Sequence, residues 1–166
     1  MVSFQQGNYV YAADAFKKAT ALRPDDYLYW GNLGDAYRQI PTEKNARQEA
    51  YEAAITLLNK QTELNRNSSD KDSLLAEWRA KQDGHEAEAV QLIGQALKAE
   101  PDSIEAQATA VKVYHLTGQR REALLYLQKI ILAGYPLEDL KRDRELAGFI
   151  KDIEVQKIIL SAPKRN

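Results

Sequence analysis

The chain has 166 residues, a net charge of −1, 44% apolar and 28% charged residues. Those values describe one folded domain or a short solenoid, with no global field to draw it to nucleic acid or an anionic membrane. It has no cysteine, which excludes disulfides, thiolate metal sites and thiol catalysis and fits a reducing, cytoplasmic setting. No apolar run reaches the roughly 18 residues of a membrane span, and Met1-Val2-Ser3-Phe4-Gln5-Gln6-Gly7 has neither the basic start nor the apolar centre of a signal peptide.

Residues 1–26 carry Gly7, Ala12, Phe16, Ala19 and Pro24 at helix-compatible spacing. Only Met1 to Gln6 precede Gly7, too few for a stable helix of their own, so the chain reads as the C-terminal piece of a longer protein. Residues 27–69 open with Trp30-x2-Leu33-Gly34-x2-Tyr37, and the loop Ile40-Pro41-Thr42 follows. A long helix is then predicted from about Glu43 to Arg66, with Thr42 as N-cap and Ala46, Ala50, Ala54, Leu57, Leu58 and Leu64 as its apolar stripe. Such a helix would be on the order of 35 Å long. Asn65 to Ser69 close it with turn-forming polar residues.

Residues 70–103 and 104–135 superimpose at a spacing of 34. Gly84, Ala89, Ala96 and Pro101 align with Gly118, Ala123, Ile130 and Tyr135. A period of this length marks stacked helical hairpins. Gly84 and Gly118 fall between paired helices, where a left-handed backbone is wanted. Small residues let helices approach at crossings, and Pro24 and Pro101 stop the second helix of a pair. Asp102 with Glu105, and Ser69 with Asp72, are spaced as capping-box pairs. Pro24 and Pro101 lie 77 residues apart, so the repeat at 27–69 carries nine residues beyond the period.

The period stops at Ala133-Gly134-Tyr135-Pro136-Leu137. Across residues 136–160, Leu137, Leu140, Leu146, Phe149, Ile150, Ile153, Val155, Ile158, Ile159 and Leu160 predict two or three short capping helices. They would cover an apolar face that has no further repeat beside it. Residues 161–166 form a polar, basic tail.

With these residues in hand, the chain resembles the tetratricopeptide repeat family. Trp30-x2-Leu33-Gly34-x2-Tyr37 matches the first half of that pattern, and Gly7, Ala12-x3-Phe16, Ala19 and Pro24 match the second half of the preceding repeat. The resemblance implies an all-α fold: a right-handed superhelix of antiparallel helix pairs over residues 1–135, closed by the capping helices. The long helix around Ala46-Arg47-Gln48-Glu49-Ala50-Tyr51-Glu52-Ala53-Ala54-Ile55 and the ending Ala133 to Glu138 also resemble the C-terminal repeat region of bacterial multidomain signalling proteins, serine/threonine protein kinases especially.

What the family implies is a binding scaffold for a protein or peptide, gripped on a wall built by the first helix of each hairpin. The groove positions so implied hold Asn32, Asp35, Arg38 and Gln39, then Lys71, Trp78, Lys81 and Gln82, then Lys112 and His115. The expected groove is mildly basic, with Trp78 as an aromatic anchor or, in the competing reading, as a core residue. Some chaperone-binding relatives clamp a terminal carboxylate. Asn32 and Lys71 match two of those positions, but Leu75 stands where a base is expected, which argues against a clamp here. Self-association through the N-terminal face near Phe4, Tyr9 and Phe16 is a further expectation, and a regulatory segment acting on its own enzyme is another.

Nothing in the chain spells catalysis. His85 and His115 have no cysteine or second histidine at ligand spacing, and there is no Gly-rich phosphate loop and no G-x-S-x-G element. The expectation is therefore no enzyme, no cofactor, no metal, no small-molecule substrate, no nucleic-acid partner and no membrane.

Overall fold

The computed structural model describes residues 8–61 and 69–161. Among them every regular element is a helix, and the helices pack in neighbouring pairs. The chain divides into two compact units, one up to Arg66 and one from Asn67. Met1 to Gly7, including Phe4, lie outside the described residues, as do Leu64, most of the 65–69 turn and the tail beyond Ser161.

The first unit contains α1 (Tyr9–Leu22), α2 (Tyr27–Arg38) and α3 (Lys44–Gln61). Asn8 caps α1 by accepting from the Tyr11 N–H at 3.2 Å, and Asp26 caps α2 through the Leu28 N–H at 3.1 Å. The predicted long helix starts at Lys44 rather than Glu43, because Thr42 still belongs to the turn; the Glu43 carbonyl accepts the first helical bond, from the Arg47 N–H at 2.8 Å. Its predicted end at Arg66 lies outside the described residues.

Ala12, Ala13, Leu33, Ala36 and Ala50 form the buried centre of this unit, with Phe16, Trp30, Tyr37 and Ile40 packed around it. Gly34 explains the tightest crossing. A Cβ there would lie 2.6 Å from two ring carbons of Tyr51, which is itself wholly buried. The Tyr51 hydroxyl donates to Asp35 Oδ1 at 2.6 Å, and the Trp30 indole N–H donates to the Pro24 carbonyl at 2.9 Å. Both aromatics thus satisfy their polar handles, and the buried Tyr51 ring fills the space that Gly34 leaves.

The second unit contains two hairpins, α4 (Ser69–Ala80) with α5 (Glu86–Ala99) and α6 (Ile104–Leu116) with α7 (Arg120–Ala133). The 34-residue recurrence is physical. Gly84 and Gly118 both take left-handed backbones, φ 84° and 77°. Ala89 and Ala123, Ile93 and Leu127, and Ala96 and Ile130 occupy equivalent positions, and all six are fully buried. The α6 end is closed by bonds from the Gln119 N–H to the Tyr114 carbonyl (2.8 Å) and from the Gly118 N–H to the His115 carbonyl (3.2 Å). Gly134, at φ 89°, ends α7 the same way, with Tyr135 donating to Ile130 and Gly134 to Ile131.

Two expected caps differ. Ser103, not Asp102, caps α6, accepting from the Ala106 N–H at 3.2 Å. Ser69 is buried as the first residue of α4, and its hydroxyl donates to the Ala96 carbonyl at 3.4 Å, so it ties α4 to α5. In both cases tertiary packing selects among adjacent hydroxyl and carboxylate residues that local spacing cannot separate.

Beyond the hairpins come α8 (Leu137–Arg142), α9 (Ala147–Ile150) and α10 (Ile153–Leu160). Leu140, Leu146, Phe149, Ile150 and Val155 join the same buried cluster as Ala123, Leu127 and Ile130. Asp152 caps α10, accepting from Glu154 N–H at 2.9 Å, and its carboxylate also takes Arg120 at 2.7 Å. The three short helices therefore extend the unit's core.

Candidate functional site

The first helices of the hairpins, α2 in one unit and α4 and α6 in the other, carry every candidate residue except Gln39, Lys81 and Gln82, which lie just past the ends of α2 and α4. On α2, Asn32 is exposed, and Asp35, Arg38 and Gln39 are half-buried. Asp35 is already engaged by the Tyr51 hydroxyl, so its carboxylate has a structural duty as well as a face.

On α4, Lys71 is half-buried while Trp78 is only 3% exposed. The indole is therefore a buried side chain in this structure, and the core reading of Trp78 describes it better than the open-anchor reading. Gln82 is also buried, and accepts from Arg79 Nη1 at 3.0 Å.

The expected basic wall is occupied by its own counter-ions. Lys81 is 4% exposed and its ammonium lies 2.7 Å from Glu77 Oε1. Lys112, one helix away on α6, lies 3.0 Å from Glu77 Oε2 and 2.8 Å from Asp143 Oδ2. One carboxylate thus holds two ammonium groups, and the second ammonium reaches a carboxylate just past α8. Burial alone would push the Glu77 carboxyl up; Lys81 and Lys112 overcome it and hold the group at about 2, against an ordinary 4.5. Burial likewise opposes charge on Lys112, and Lys81 adds to that, but Glu77 and Asp143 outweigh both and its pKa is raised. The two carboxylates and the two ammonium groups lie within ion-pair distance of one another and compensate each other's charge.

His115 lies a turn beyond Lys112 on α6, with its ring 4.7 Å from the Phe149 ring. Burial pushes its pKa below the ordinary value, with Glu145 opposing and Arg120 assisting, so it is neutral at pH 7. His85 sits at the start of α5 with Nδ1 3.1 Å from Glu88 Oε2. Among the described residues no group of three His, Cys, Asp or Glu side chains could hold a metal ion, and no helix is long and apolar enough to cross a membrane.

A pocket of about 190 Å³ opens beside Lys112, lined by Glu105, Thr109, Lys112, Tyr135, Asp139 and Asp143, with Ala108, Leu140 and Leu146 as its apolar floor. Glu105, Ala108, Thr109 and Lys112 recur at i, i+3, i+4 and i+7, one face of α6. The helical frame that selects Lys112 therefore also contains Glu105 and Thr109, and could have found them. Tyr135, Asp139 and Asp143 come from beyond the repeats, where no period points to them.

Asn32 and Lys71, the two residues matching a carboxylate clamp, belong to different units, and Leu75, one turn beyond Lys71 on α4, is buried. The structure brings Lys81 and Lys112 together around Glu77 and leaves Asn32 as the one exposed residue among the ten expected groove positions. Searched against protein-family models and curated proteins, the chain matches none.

Proposed function

We propose that this chain is a tetratricopeptide-type interaction scaffold that binds a polypeptide on the exposed faces of its first helices, each unit presenting its own, and that it has no catalytic role. The observation that carries the reading is the pairwise equivalence of the two hairpins in residues 69–133. Glycines 34 residues apart share a left-handed backbone, and the six small or aliphatic residues that follow are buried as matched pairs. A hairpin that repeats in this way spends its buried face on its neighbours and leaves a second, regularly spaced face for a partner. Polar, half-exposed side chains of α6 supply hydrogen-bonding groups in the second unit, and those of α2 do so in the first.

The test is a peptide-display selection against the full chain, followed by amide-shift mapping of the selected peptides by NMR. The expected result is perturbation centred on Asn32, Asp35, Thr109 and Lys112. Shifts gathered instead on the exposed second-helix positions Gln95 of α5 and Gln128 of α7, or a selection that yields no specific binder, would overturn the proposal.

A further inference from the structure

The charge on the α6 face is the reverse of what Lys112 alone suggests. Among the described residues, Lys112 is the one cation lining the pocket between α6 and α8, and Glu77 and Asp143 both sit within 3.0 Å of it. Lys81 is matched to Glu77 as well. Two lining carboxylates remain. Glu105 makes no ion pair among the described residues, and Asp139 has only Arg142, at 3.8 Å with both side chains at least half exposed, a geometry worth little. The Tyr135 phenol, on the same wall, reports the resulting field. Burial pushes its pKa up, and Asp139, Asp143 and Glu105 push it further against the opposing effect of Lys112.

We propose that this pocket is a subsite for one cationic side chain, arginine or lysine, of the polypeptide partner. The inference rests on the scaffold reading above and adds the chemistry of one position in the bound peptide. The volume fits it. About 190 Å³ is below the roughly 300–1,000 Å³ of pockets that hold whole small molecules and is the scale of a single long side chain. Leu140, Leu146 and Ala108 give an aliphatic stem something to lie on, as long cationic side chains require. Glu105 and Asp139 supply acceptors for the charged head, and Thr109 and Tyr135 add hydroxyls at the rim. An anionic peptide group would meet the uncompensated carboxylates first.

The probe is the neutral-ended tripeptide acetyl-Gly-Arg-Gly-amide, titrated into the full ¹⁵N-labelled chain beside the same peptide with citrulline, which keeps the shape and loses the charge. The arginine peptide is expected to give saturable shifts at Thr109, Lys112, Tyr135 and Asp139. Binding should weaken about tenfold with citrulline and about tenfold in the double variant Glu105→Gln/Asp139→Asn, the scale of losing charge-assisted hydrogen bonds. Both substituted side chains are exposed, so circular dichroism should show unchanged helicity. Equal binding of the citrulline peptide, undiminished binding by the double variant, or no saturable shift at these four residues would overturn the subsite. Selected peptides that bind the first-helix face without any basic residue would overturn it too, and would leave the scaffold reading standing.

Discussion

In residues 8–61 the first helix α2 is fastened by rings and neutral donors: Tyr51 against Gly34, its hydroxyl on Asp35, and the Trp30 indole on the Pro24 carbonyl. In residues 69–161 the first helices α4 and α6 are fastened to each other by charge, through Glu77 between Lys81 and Lys112 and on to Asp143. Both solve one problem. A hairpin's first helix must be fixed in register with its neighbour while one face stays polar. The ring solution depends chiefly on shape. The charge solution depends on every member being ionised, because a buried charge without its partner is expensive. It also uses up the cations of that face, which is why a row of lysines in the sequence leaves an acidic pocket in the fold.

The comparison can be broken first at the charged end. Glu77→Gln should destabilise the chain by about 3–4 kcal/mol, since it takes the shared carboxylate from two largely buried ammonium groups, of which Lys112 keeps Asp143; chemical denaturation measures it. A change below about 1 kcal/mol would mean the network is a surface ornament. Trp78→Ala should have a loss of similar size, about 3–5 kcal/mol for emptying a buried indole site, which the same denaturation series would detect. An unchanged midpoint with weakened peptide binding would restore the indole as an open anchor.

At the ring end, Gly34→Ala should destabilise by about 2–3 kcal/mol, because a methyl group at 2.6 Å from the buried Tyr51 ring forces repacking. Gly94→Ala is its control: a Cβ there meets nothing within 4 Å, so the substitution should stabilise by about 0.5–1 kcal/mol.

Acid separates the two solutions most simply. Glu77 is held at about 2 in the fold against 4.5 ordinarily. The unfolded chain therefore takes up a proton there first as pH falls. The contribution of Glu77 is complete above about pH 4.5, shrinks between 4.5 and 2, and is gone below 2. Thermal midpoints of the wild type and Glu77→Gln should diverge above pH 5 and converge toward pH 2. Parallel curves throughout would refute the assignment.

Much of the fold was legible because small residues at a fixed period have one use. Gly84, Gly118, Ala89, Ala123 and Ala96 sit where hairpin geometry requires them, and the aliphatic run after Gly134 becomes three short helices on the same core. The candidate site was less legible. Glu77 falls off the groove positions of its repeat, and its two lysines come from different hairpins, so no spacing along the chain joins them. Asp139 and Asp143 lie past the last repeat. Trp78 has the composition of an anchor and the burial of a core residue, and only packing distinguishes the two.

The most direct test of the central claim places a photo-crosslinking residue at Asn32 and Thr109 on the first helices, and at Gln95 and Gln128 on the second, in separate preparations of the full chain with one selected peptide. The account predicts crosslinks from the first pair and none from the second. Crosslinks confined to Gln95 or Gln128 would contradict it.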